Sequence, residues 1–548
     1  MKGADLVLKC LELQGVDTIF GVPGEENSDV MMSLLDSHIK FISCRHEQAA
    51  AFMADMYGRL TGRPGVCMAT LGPGATNLLT GVASANMDYS PLVAIIGQAS
   101  THRLHKESHQ NMDSVSMFKP VSKWVATVQT ADNIPEIVSK AFKIAATEKQ
   151  GACVIELPED IAKEESDQAP IPPRYSRHHA GVEKHLVDNV LELIANSERP
   201  LILAGNGCVR SGAAGALRGF VEATGIYATT TFMGKGSVSD ESELCLFCTG
   251  LGHKDIVIEA FEQADLLICI GYDMVEWHPD KWNVGRPKKI IHIDTTMAEV
   301  DSNYVVDIDM LCDIGETLKN LTKRVGPEHK KTAPEFAEIR KRIKKERDEH
   351  AGDCSFPMKP QKILSDLRAV MKRDDILISD VGAHKIWVAR QYPTYEAGSC
   401  FISNGFCSMG IALPSSIAAK RLHPEKNVVA LCGDGGFLMN VQDLATAVRY
   451  KTPVVVLIWD DSGYGLIEWK QMLNYCKTSH VDLENPDFVK LAEAFGCAGI
   501  KIECPDDLKP ALEKAFATTD RPTVITVPVD YSQNVELSKR QGQFFCDI

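Results

Sequence analysis

The sequence predicts three α/β domains, each built on a doubly wound parallel sheet. Short apolar runs alternate with amphipathic helical stretches along the whole chain. Its 548 residues are enough for about three domains of 150 to 200 residues. A proline-rich stretch at 169–174 and a charged helical stretch at 340–347 act as linkers. The predicted domains are therefore residues 1–165, 185–325 and 355–548.

Each block contains apolar runs of strand length that end in turn residues. The first and third blocks share the same coarse rhythm, which fits two related units. The second block has a Rossmann-like rhythm in which Gly205 and Gly207 could cradle a dinucleotide phosphate, although a lone GxG is a weak signal. The predicted strands lie at 18–21, 40–43, 66–70 and 92–96, then at 200–204, 266–270 and 290–293, and finally at 428–432 and 454–459. The predicted helices include residues 3–14 and the segment that begins at 45–48.

Composition excludes several classes of partner. The net charge is −15 and the pI about 5.6, which argues against binding to nucleic acid or an anionic membrane. No apolar stretch is long enough to span a membrane, and the first residues lack an apolar signal core. We therefore expect a cytoplasmic protein. Its 17 cysteines, including the Cys245–Cys248 CxxC pair, are predicted to be mostly buried thiols rather than metal ligands.

The most informative motif follows the apolar run at 428–432. The turn at Gly433, Asp434, Gly435 and Gly436 ends this predicted strand, and Asp461 follows the next one. Because the carboxyl ends of parallel strands meet at one edge of a sheet, both carboxylates are expected there. Two carboxylates and a backbone carbonyl, such as that of Gly463, suit Mg²⁺, which usually also takes phosphate oxygens. The alternative is a purely structural glycine turn between two buried strands, in which Asp434 caps the following helix.

This pattern resembles the thiamin diphosphate enzymes, in which a GDG motif is followed one strand–helix–strand unit later by Asn or Asp. Segments at 20–24, 45–54 and 69–77 resemble the acetolactate synthases within that family. Asp461 in place of Asn, together with 105–113 and 277–283, resembles the catabolic synthases that work without FAD. The resemblance therefore implies thiamin diphosphate and Mg²⁺ as cofactors, and no FAD is expected.

The resemblance also implies roles for individual residues. Glu47 would hydrogen-bond N1′ of the aminopyrimidine ring, a contact that suits a partly buried carboxylate able to share a proton. Gln110, the second predicted catalytic residue, would lie beside the reaction centre. Met409 would lie beneath the cofactor and His384 would reach its diphosphate. The full set of predicted cofactor-binding residues is Gly382, Ala383, His384, Cys407, Met409, Gly433, Asp434, Gly435, Gly436, Asp461, Tyr464, Gly465 and Leu466. The predicted metal ligands are Asp434, Asp461 and Gly463, and the predicted substrate residues are Gly24, Glu25, Glu26, His109, Gln110 and Lys470.

The implied reaction is decarboxylation of pyruvate followed by carboligation to a second 2-keto acid, giving 2-acetolactate. Two departures from the family pattern matter, and the first keeps an alternative open. Catabolic synthases carry lysine at the position of Glu26, and the segment 24–27 resembles the GDxN motif of 2-keto acid decarboxylases, which release an aldehyde. Against this, the paired histidines of those decarboxylases are missing, since His105 and His109 are four residues apart.

Lys470 is the second departure, because it stands near a tryptophan or glutamine position of the synthases and could attract the acceptor carboxylate. A non-catalytic thiamin diphosphate-binding homologue is the third interpretation. The intact Glu47, Asp434 and Asp461 argue against it. The family resemblance further implies a homodimer at minimum and a homotetramer as the expected assembly.

Overall fold

Three six-stranded, all-parallel sheets form the framework of the protein in a computed structural model that describes residues 1–173, 183–250, 255–283 and 288–540. Each sheet lies within one of the predicted ranges 1–165, 185–325 and 355–548, and helices flank every sheet. The predicted class of three parallel-sheet α/β domains is therefore confirmed. None of the described helices combines the length and hydrophobicity needed to cross a membrane.

The first domain has the strand order β2-β1-β3-β4-β6-β5. Its strands are β1 (Thr18–Gly21), β2 (Lys40–Ser43), β3 (Gly65–Ala69), β4 (Leu92–Gln98), β5 (Trp124–Thr127) and β6 (Ala152–Pro158). Its helices are α1 (Gly3–Leu13), α2 (Ser28–Ser33), α3 (Glu47–Thr61), α4 (Pro73–Met87), α5 (Ser114–Phe118), α6 (Ile134–Ala146) and α7 (Glu159–Lys163). The helix α3 begins after His46, whose side chain accepts a hydrogen bond from the Gln48 amide, and ends at Gly62 in the left-handed region.

The central domain has the order β12-β11-β10-β7-β8-β9, as in doubly wound dinucleotide-binding folds. Its strands are β7 (Pro200–Ala204), β8 (Tyr227–Thr230), β9 (Cys245–Cys248), β10 (Leu266–Ile270), β11 (Lys289–Asp294) and β12 (Ile308–Leu311). Its helices are α8 (Lys184–Asn196), α9 (Asn206–Arg210), α10 (Ala214–Thr224), α11 (Ile258–Gln263), α12 (Ile314–Lys323) and α13 (Pro334–Asp348).

The glycines after β7 pack against the loop after β10. The Gly207 amide donates to the Gly271 carbonyl at 2.8 Å, and a Cβ added at Gly207 would lie 2.5 Å from the Gly271 Cα. The close approach of the backbone at Gly207 to the backbone at Gly271 therefore explains the GxG pattern, and no dinucleotide phosphate is needed to explain it. The neighbouring carboxyl edge also holds an ion pair between Lys149 of the first domain and Asp273, whose atoms are 2.8 Å apart.

The predicted linker at 340–347 belongs to a packed helix. Helix α13 buries Phe336, Ile339 and Ile343 in the core of the central domain. These three apolar positions share one helical face, while the remaining positions are mostly charged. The central core therefore extends beyond residue 325. Residues 169–173 have no regular structure, and Arg174, the end of the other predicted linker, lies outside the described residues.

The third domain has the order β14-β13-β15-β16-β18-β17. Its strands are β13 (Ile376–Ser379), β14 (Cys400–Ile402), β15 (Val428–Gly433), β16 (Val455–Asp460), β17 (Ala498–Lys501) and β18 (Thr523–Pro528). Its helices are α14 (Pro360–Val370), α15 (Ala383–Gln391), α16 (Ala412–Leu422), α17 (Asp434–Leu438), α18 (Leu444–Arg449), α19 (Gly465–Tyr475), α20 (Phe488–Ala494), α21 (Leu508–Ala517) and α22 (Gln533–Arg540). Its sheet repeats the topology of the first, as the shared rhythm of the two blocks suggested.

One apolar core joins the first and third domains. Helices α3 and α16 pack together in it, with Ala50, Ala54 and Ala418 among the buried residues. Small side chains let the two helix backbones approach closely. Among the cysteines described as free thiols, twelve are buried, as expected, whereas Cys354 and Cys504 are exposed and Cys407 is half-buried. Cys476 is disulfide-bonded.

Candidate active site

A cavity of about 230 Å³ opens at the carboxyl edge of the third sheet. It lies where the chain order of the strands reverses, because β14 pairs with one side of β13 and β15 with the other. Such switch points are where α/β sheets bind ligands. All thirteen residues predicted to bind the cofactor line this one cavity, together with Gly463. The cavity lining also includes Val381, Ile467 and Tyr531, which the sequence did not single out.

His384 offers a neutral polar atom to this cavity. Burial lowers the pKa of its imidazole to about 3, so the ring is uncharged at neutral pH. Its Nε2 is buried and has no hydrogen-bond partner within the described part of the chain. A Cβ added at Gly382 would lie 2.7 Å from the ring, so that position requires glycine. This buried nitrogen without a partner lies in the same cavity lining as the glycine backbone at 433–436. Together they could form hydrogen bonds with the oxygens of a diphosphate group.

Two carboxylates face each other across the same cavity. Asp434 is 1% exposed, and its Oδ1 and Oδ2 accept hydrogen bonds from the amides of Gly435 and Gly463 at 2.7 and 3.1 Å. Burial, and then the negative charge of Asp434, raise the pKa of Asp461 to about 8. This mutual repulsion is what a divalent cation would relieve. The described residues contain no cluster of three or more His, Cys, Asp or Glu side chains that could form a metal site, so Mg²⁺ here would need backbone, phosphate and water oxygens as well.

Asn485 is a member of this site that the sequence did not reveal. Its Nδ2 donates to Asp434 at 2.7 Å and to Asp460 at 2.8 Å. Its Oδ1 is buried and lacks a partner among the described residues. This oxygen lies on the side chain that hydrogen-bonds the carboxylates of Asp434 and Asp460. Asn485 lies 51 residues beyond Asp434 in the chain, in a segment without a recognisable motif. Only the tertiary fold brings it to the site.

The raised pKa of Asp461 predicts pH-dependent metal binding. Without a cation, the Asp461 carboxyl is protonated below about pH 8, and a divalent cation bound by this carboxylate would displace that proton. Because the folded-state pKa is above the unfolded value, this carboxyl favours folding at low pH and loses that contribution as pH rises towards 8. We therefore expect the melting temperature gained on adding Mg²⁺ to increase from pH 6 to pH 8. Thermal unfolding with and without Mg²⁺ measures this gain in melting temperature at each pH. In the control variant Asp461→Asn, the gain should vary much less with pH. An equal pH dependence in both proteins would contradict the assignment of Asp461 as a metal ligand.

The loop that carries Cys407 and Met409 is held by hydrogen bonds to Gly410 and by a contact to Cys407. Asp380, at the end of β13, accepts from the Gly410 amide at 2.8 Å. Asn440 donates to the Gly410 carbonyl at 2.8 Å. Cys407 has a positive φ of 59°, and its Sγ lies 3.2 Å from the Lys385 ammonium. These contacts fix where Met409 enters the cavity lining.

A second cluster of predicted residues lies at the carboxyl edge of the first sheet. Glu47 is half-buried at the start of α3, and its Oε2 accepts from Asn77 Nδ2 at 2.9 Å. Glu26 is 8% exposed, and its Oε2 accepts from Thr70 Oγ1 at 2.7 Å. The turn at 70–74 connects these side chains, since a Cβ added at Gly74 would touch Glu47 at 3.5 Å.

The remaining predicted substrate residues are distributed around this cluster. Gln110 has a positive φ of 56° and packs against Gly72, where an added Cβ would lie 3.0 Å from the Gln110 Cβ. Both Gln110 and His109 are exposed, as is Glu25, while Gly24 is half-buried against Thr70. Lys470 is exposed on α19 in the third domain, and it does not line the cavity. The substrate role of Lys470 therefore receives no geometric support within one chain.

The two clusters do not meet within one chain. Neither Glu47 nor Glu26 is among the residues that line the third-domain cavity. The segment before Glu47 instead contacts another part of the third domain, because the Arg45 amide donates to Asp443 at 3.0 Å. Within one chain, the described lining of this cavity therefore comes from the third domain.

Comparison with known proteins agrees with this geometry. Models of the thiamine pyrophosphate enzymes match three parts of the chain: the N-terminal TPP binding domain at 1–117, the central domain at 187–321 and the C-terminal TPP binding domain at 380–527. The chain is 35% identical to an acetolactate synthase of Bacillus subtilis over 546 residues, covering 98% of this chain and 95% of the relative.

Two further relatives have similar coverage. A catabolic acetolactate synthase of Raoultella terrigena is 36% identical over 97% of this chain and 96% of its own length. A probable acetolactate synthase large subunit of Methanocaldococcus jannaschii is 36% identical over 99% of this chain and 94% of its own length. With all three family domains matched in order and similarity along nearly the whole chain, the protein belongs to the thiamine pyrophosphate (thiamin diphosphate) enzymes.

Proposed function

We propose that the protein is an acetolactate synthase, which decarboxylates pyruvate and joins the remaining two-carbon unit to a second 2-keto acid. The observation that carries this proposal is the convergence of His384, Asp434 and Asp461 on one cavity in a chain that also keeps Glu47. The near full-length similarity to acetolactate synthases supports the choice of reaction. The synthase reaction requires 2-keto acids both as donor and as acceptor.

Different residues of the cavity would bind thiamin diphosphate and Mg²⁺. His384 and the glycine backbone at 433–436 would hold the diphosphate, and Asp434 and Asp461 would hold the metal, with the Gly463 carbonyl as the third protein ligand. When bound, thiamin diphosphate supplies an electron sink for the decarboxylation of a 2-keto acid. Glu47 would hold and release a proton at the pyrimidine end, and Gln110 would orient the substrate.

We further propose that two copies of the chain build each active site. Glu47 does not line the cavity of its own chain, while its exposed surroundings at His109 and Gln110 leave an open polar face. A symmetric dimer would place the first-domain cluster of each copy over the third-domain cavity of the other. A homodimer is then the smallest active unit, and a tetramer would pair two such dimers.

Release of an aldehyde is the second candidate reaction, and Glu26 is the residue that favours it. Its carboxylate is almost fully buried beside Thr70, at the edge of the sheet that also carries Glu47. A fixed negative charge there would oppose binding of a second anionic 2-keto acid. The hydrogen bond from Thr70 stabilises the carboxylate of Glu26 but does not remove its negative charge. The balance between ligation and aldehyde release therefore depends on whether Glu26 faces the acceptor.

Product analysis decides between the two reactions. With thiamin diphosphate, Mg²⁺ and pyruvate, we expect acetolactate to exceed acetaldehyde, as measured in one reaction by chromatography. In Glu26→Gln the removed charge should raise the acetolactate to acetaldehyde ratio about three- to tenfold, corresponding to about 0.7–1.4 kcal/mol. Glu25→Gln is the matched control, because Glu25 is exposed. Predominant acetaldehyde from the unmodified protein would instead assign it as a decarboxylase.

A further inference from the structure

Asp88, a buried aspartate of the first domain, accepts hydrogen bonds from a loop of the third domain that lines the proposed cofactor cavity. We define this cofactor loop as residues 403–410, which include Cys407 and Met409. Asp88 Oδ2 accepts from Ser403 Oγ at 2.6 Å. Its Oδ1 accepts from the amides of Gly405 and Phe406 at 2.8 and 3.2 Å. One carboxylate therefore receives three hydrogen bonds from the beginning of the loop.

The contact between Asp88 and the cofactor loop requires a glycine at position 405. A Cβ added at Gly405 would lie 2.5 Å from Asp88 Oδ1 and 2.7 Å from the Met87 carbonyl. Any side chain at position 405 would push the loop away from the first domain. The Asp88 side chain is fully buried, so its hydrogen bonds are not shared with bulk water and the geometry of the loop is tightly defined.

Local preference does not explain an aspartate at this position. Asp88 is the C-cap of α4, where the helix dipole disfavours a negative charge. Arg59 offsets that cost, since its Nη2 donates to Asp88 at 2.7 Å while its Nε donates to Asp55 at 2.7 Å. The two carboxylates in turn raise the pKa of the Arg59 guanidinium, which stays charged. Asp88 is thus unfavourable at the end of its own helix, yet it accepts three hydrogen bonds from another domain, so we attribute its presence to the contact between the domains.

The same loop is attached to the central domain. Asn404 Nδ2 donates to the Glu276 carbonyl at 2.8 Å, and the Lys385 ammonium donates to Asn404 Oδ1 at 2.9 Å. The Asp88 carbonyl accepts from Asn206 of the central domain at 3.3 Å. All three domains therefore meet at the entrance of the cofactor loop, and Asp88 supplies the largest number of its hydrogen bonds.

We infer that Asp88 is a positioning residue for the cofactor: it holds the loop so that Met409 and Cys407 line the cavity, and it does so from a domain that contributes no residue to that cavity. This inference rests on the proposed function, because it assumes that thiamin diphosphate binds there. Asp88 does not touch the cavity-lining residues' side chains; it acts through the backbone of 405 and 406 and the hydroxyl of Ser403.

The test measures the dissociation constant of thiamin diphosphate at saturating Mg²⁺ by calorimetry, alongside the melting temperature of each cofactor-free protein. Asp88→Asn is expected to raise the dissociation constant at least about tenfold, since the amide nitrogen cannot accept from Ser403 and the bonds from the loop amides are no longer made to a charged group. Ser403→Ala removes one of the three contacts and should raise it about three- to tenfold. Asp366→Asn is the matched control: Asp366 is equally buried and pairs with Lys362 at 2.8 Å, on helix α14 away from the loop.

The possible outcomes separate the inference from the proposed function. If the unmodified protein does not bind thiamin diphosphate, the proposed function fails. If it binds and all variants bind within twofold of it, whatever their melting temperatures, the positioning role is overturned. A lower melting temperature in Asp366→Asn with unchanged affinity shows that instability alone does not move the dissociation constant. Should Asp88→Asn not fold, Ser403→Ala decides, because it alters only one hydroxyl.

Discussion

Replacing Glu47 by Gln is expected to lower kcat for acetolactate formation by about 10² to 10⁴, the usual contribution of a positioned acid–base group. Glutamine keeps the size of the side chain and can still accept the hydrogen bond from Asn77 Nδ2 that Glu47 receives at 2.9 Å. It cannot take up or release a proton. Steady-state kinetics with pyruvate at saturating cofactor and Mg²⁺ measure the effect.

The binding of thiamin diphosphate should change little in this variant, because the residues proposed to hold the diphosphate and the metal are intact and a glutamine can still form a hydrogen bond with the pyrimidine ring. A fall in kcat with an almost unchanged dissociation constant marks a group that acts in the reaction rather than in binding. Glu25→Gln removes a carboxylate from the same domain at an exposed position and should retain wild-type kcat. Full turnover in Glu47→Gln would remove Glu47 from the catalytic machinery.

Replacing Asp434 by Asn is expected to weaken Mg²⁺-dependent binding of thiamin diphosphate by roughly 200- to 5000-fold, the effect of removing about 3–5 kcal/mol from a buried charge interaction. The amide keeps the shape of the side chain and can still accept from Gly435, so the fold of the turn at 433–436 is preserved. What is lost is half of the negative charge that Asp434 and Asp461 present to the metal. Calorimetric titration of the cofactor at several Mg²⁺ concentrations measures this loss.

Asp460→Asn provides a matched control for this charge change. Asp460 shares Asn485 with Asp434, accepting from its Nδ2 at 2.8 Å, but it does not line the cavity. Its replacement should leave metal and cofactor affinity within about threefold of wild type. Equal losses in Asp434→Asn and Asp460→Asn would mean that the metal is not held where Asp434 lies.

The two inactive variants also test the shared active site. Mixing Glu47→Gln with Asp434→Asn under conditions of subunit exchange creates mixed dimers. One of the two sites in each mixed dimer would combine an intact Glu47 with an intact Asp434. About a quarter of the wild-type activity should then return, since half of the dimers are mixed and half of their sites are intact. No recovery despite proven exchange would place each active site within a single copy.

Much of the fold was predictable because it depends on local patterns. Buried parallel strands consist of continuous apolar runs, so β3, β4, β15 and β16 were predicted to within about two residues. The glycine turn after β15 and the carboxylate after β16 follow from chain order alone. The family resemblance named the thirteen predicted cofactor residues. Two strands paired in parallel bring their carboxyl ends together, which is why these residues were found along one cavity.

By itself the sequence determined the three-domain α/β class, the family resemblance and the residues of the diphosphate end of the site. Only the tertiary structure decided that Glu47 does not line the cavity of its own chain, that Asn485 joins Asp434, and that Asp88 holds the cofactor loop from another domain. The last two contacts join residues 51 and 317 positions apart. Their formation depends on the packing of whole helices and domains. No local spacing encodes that packing.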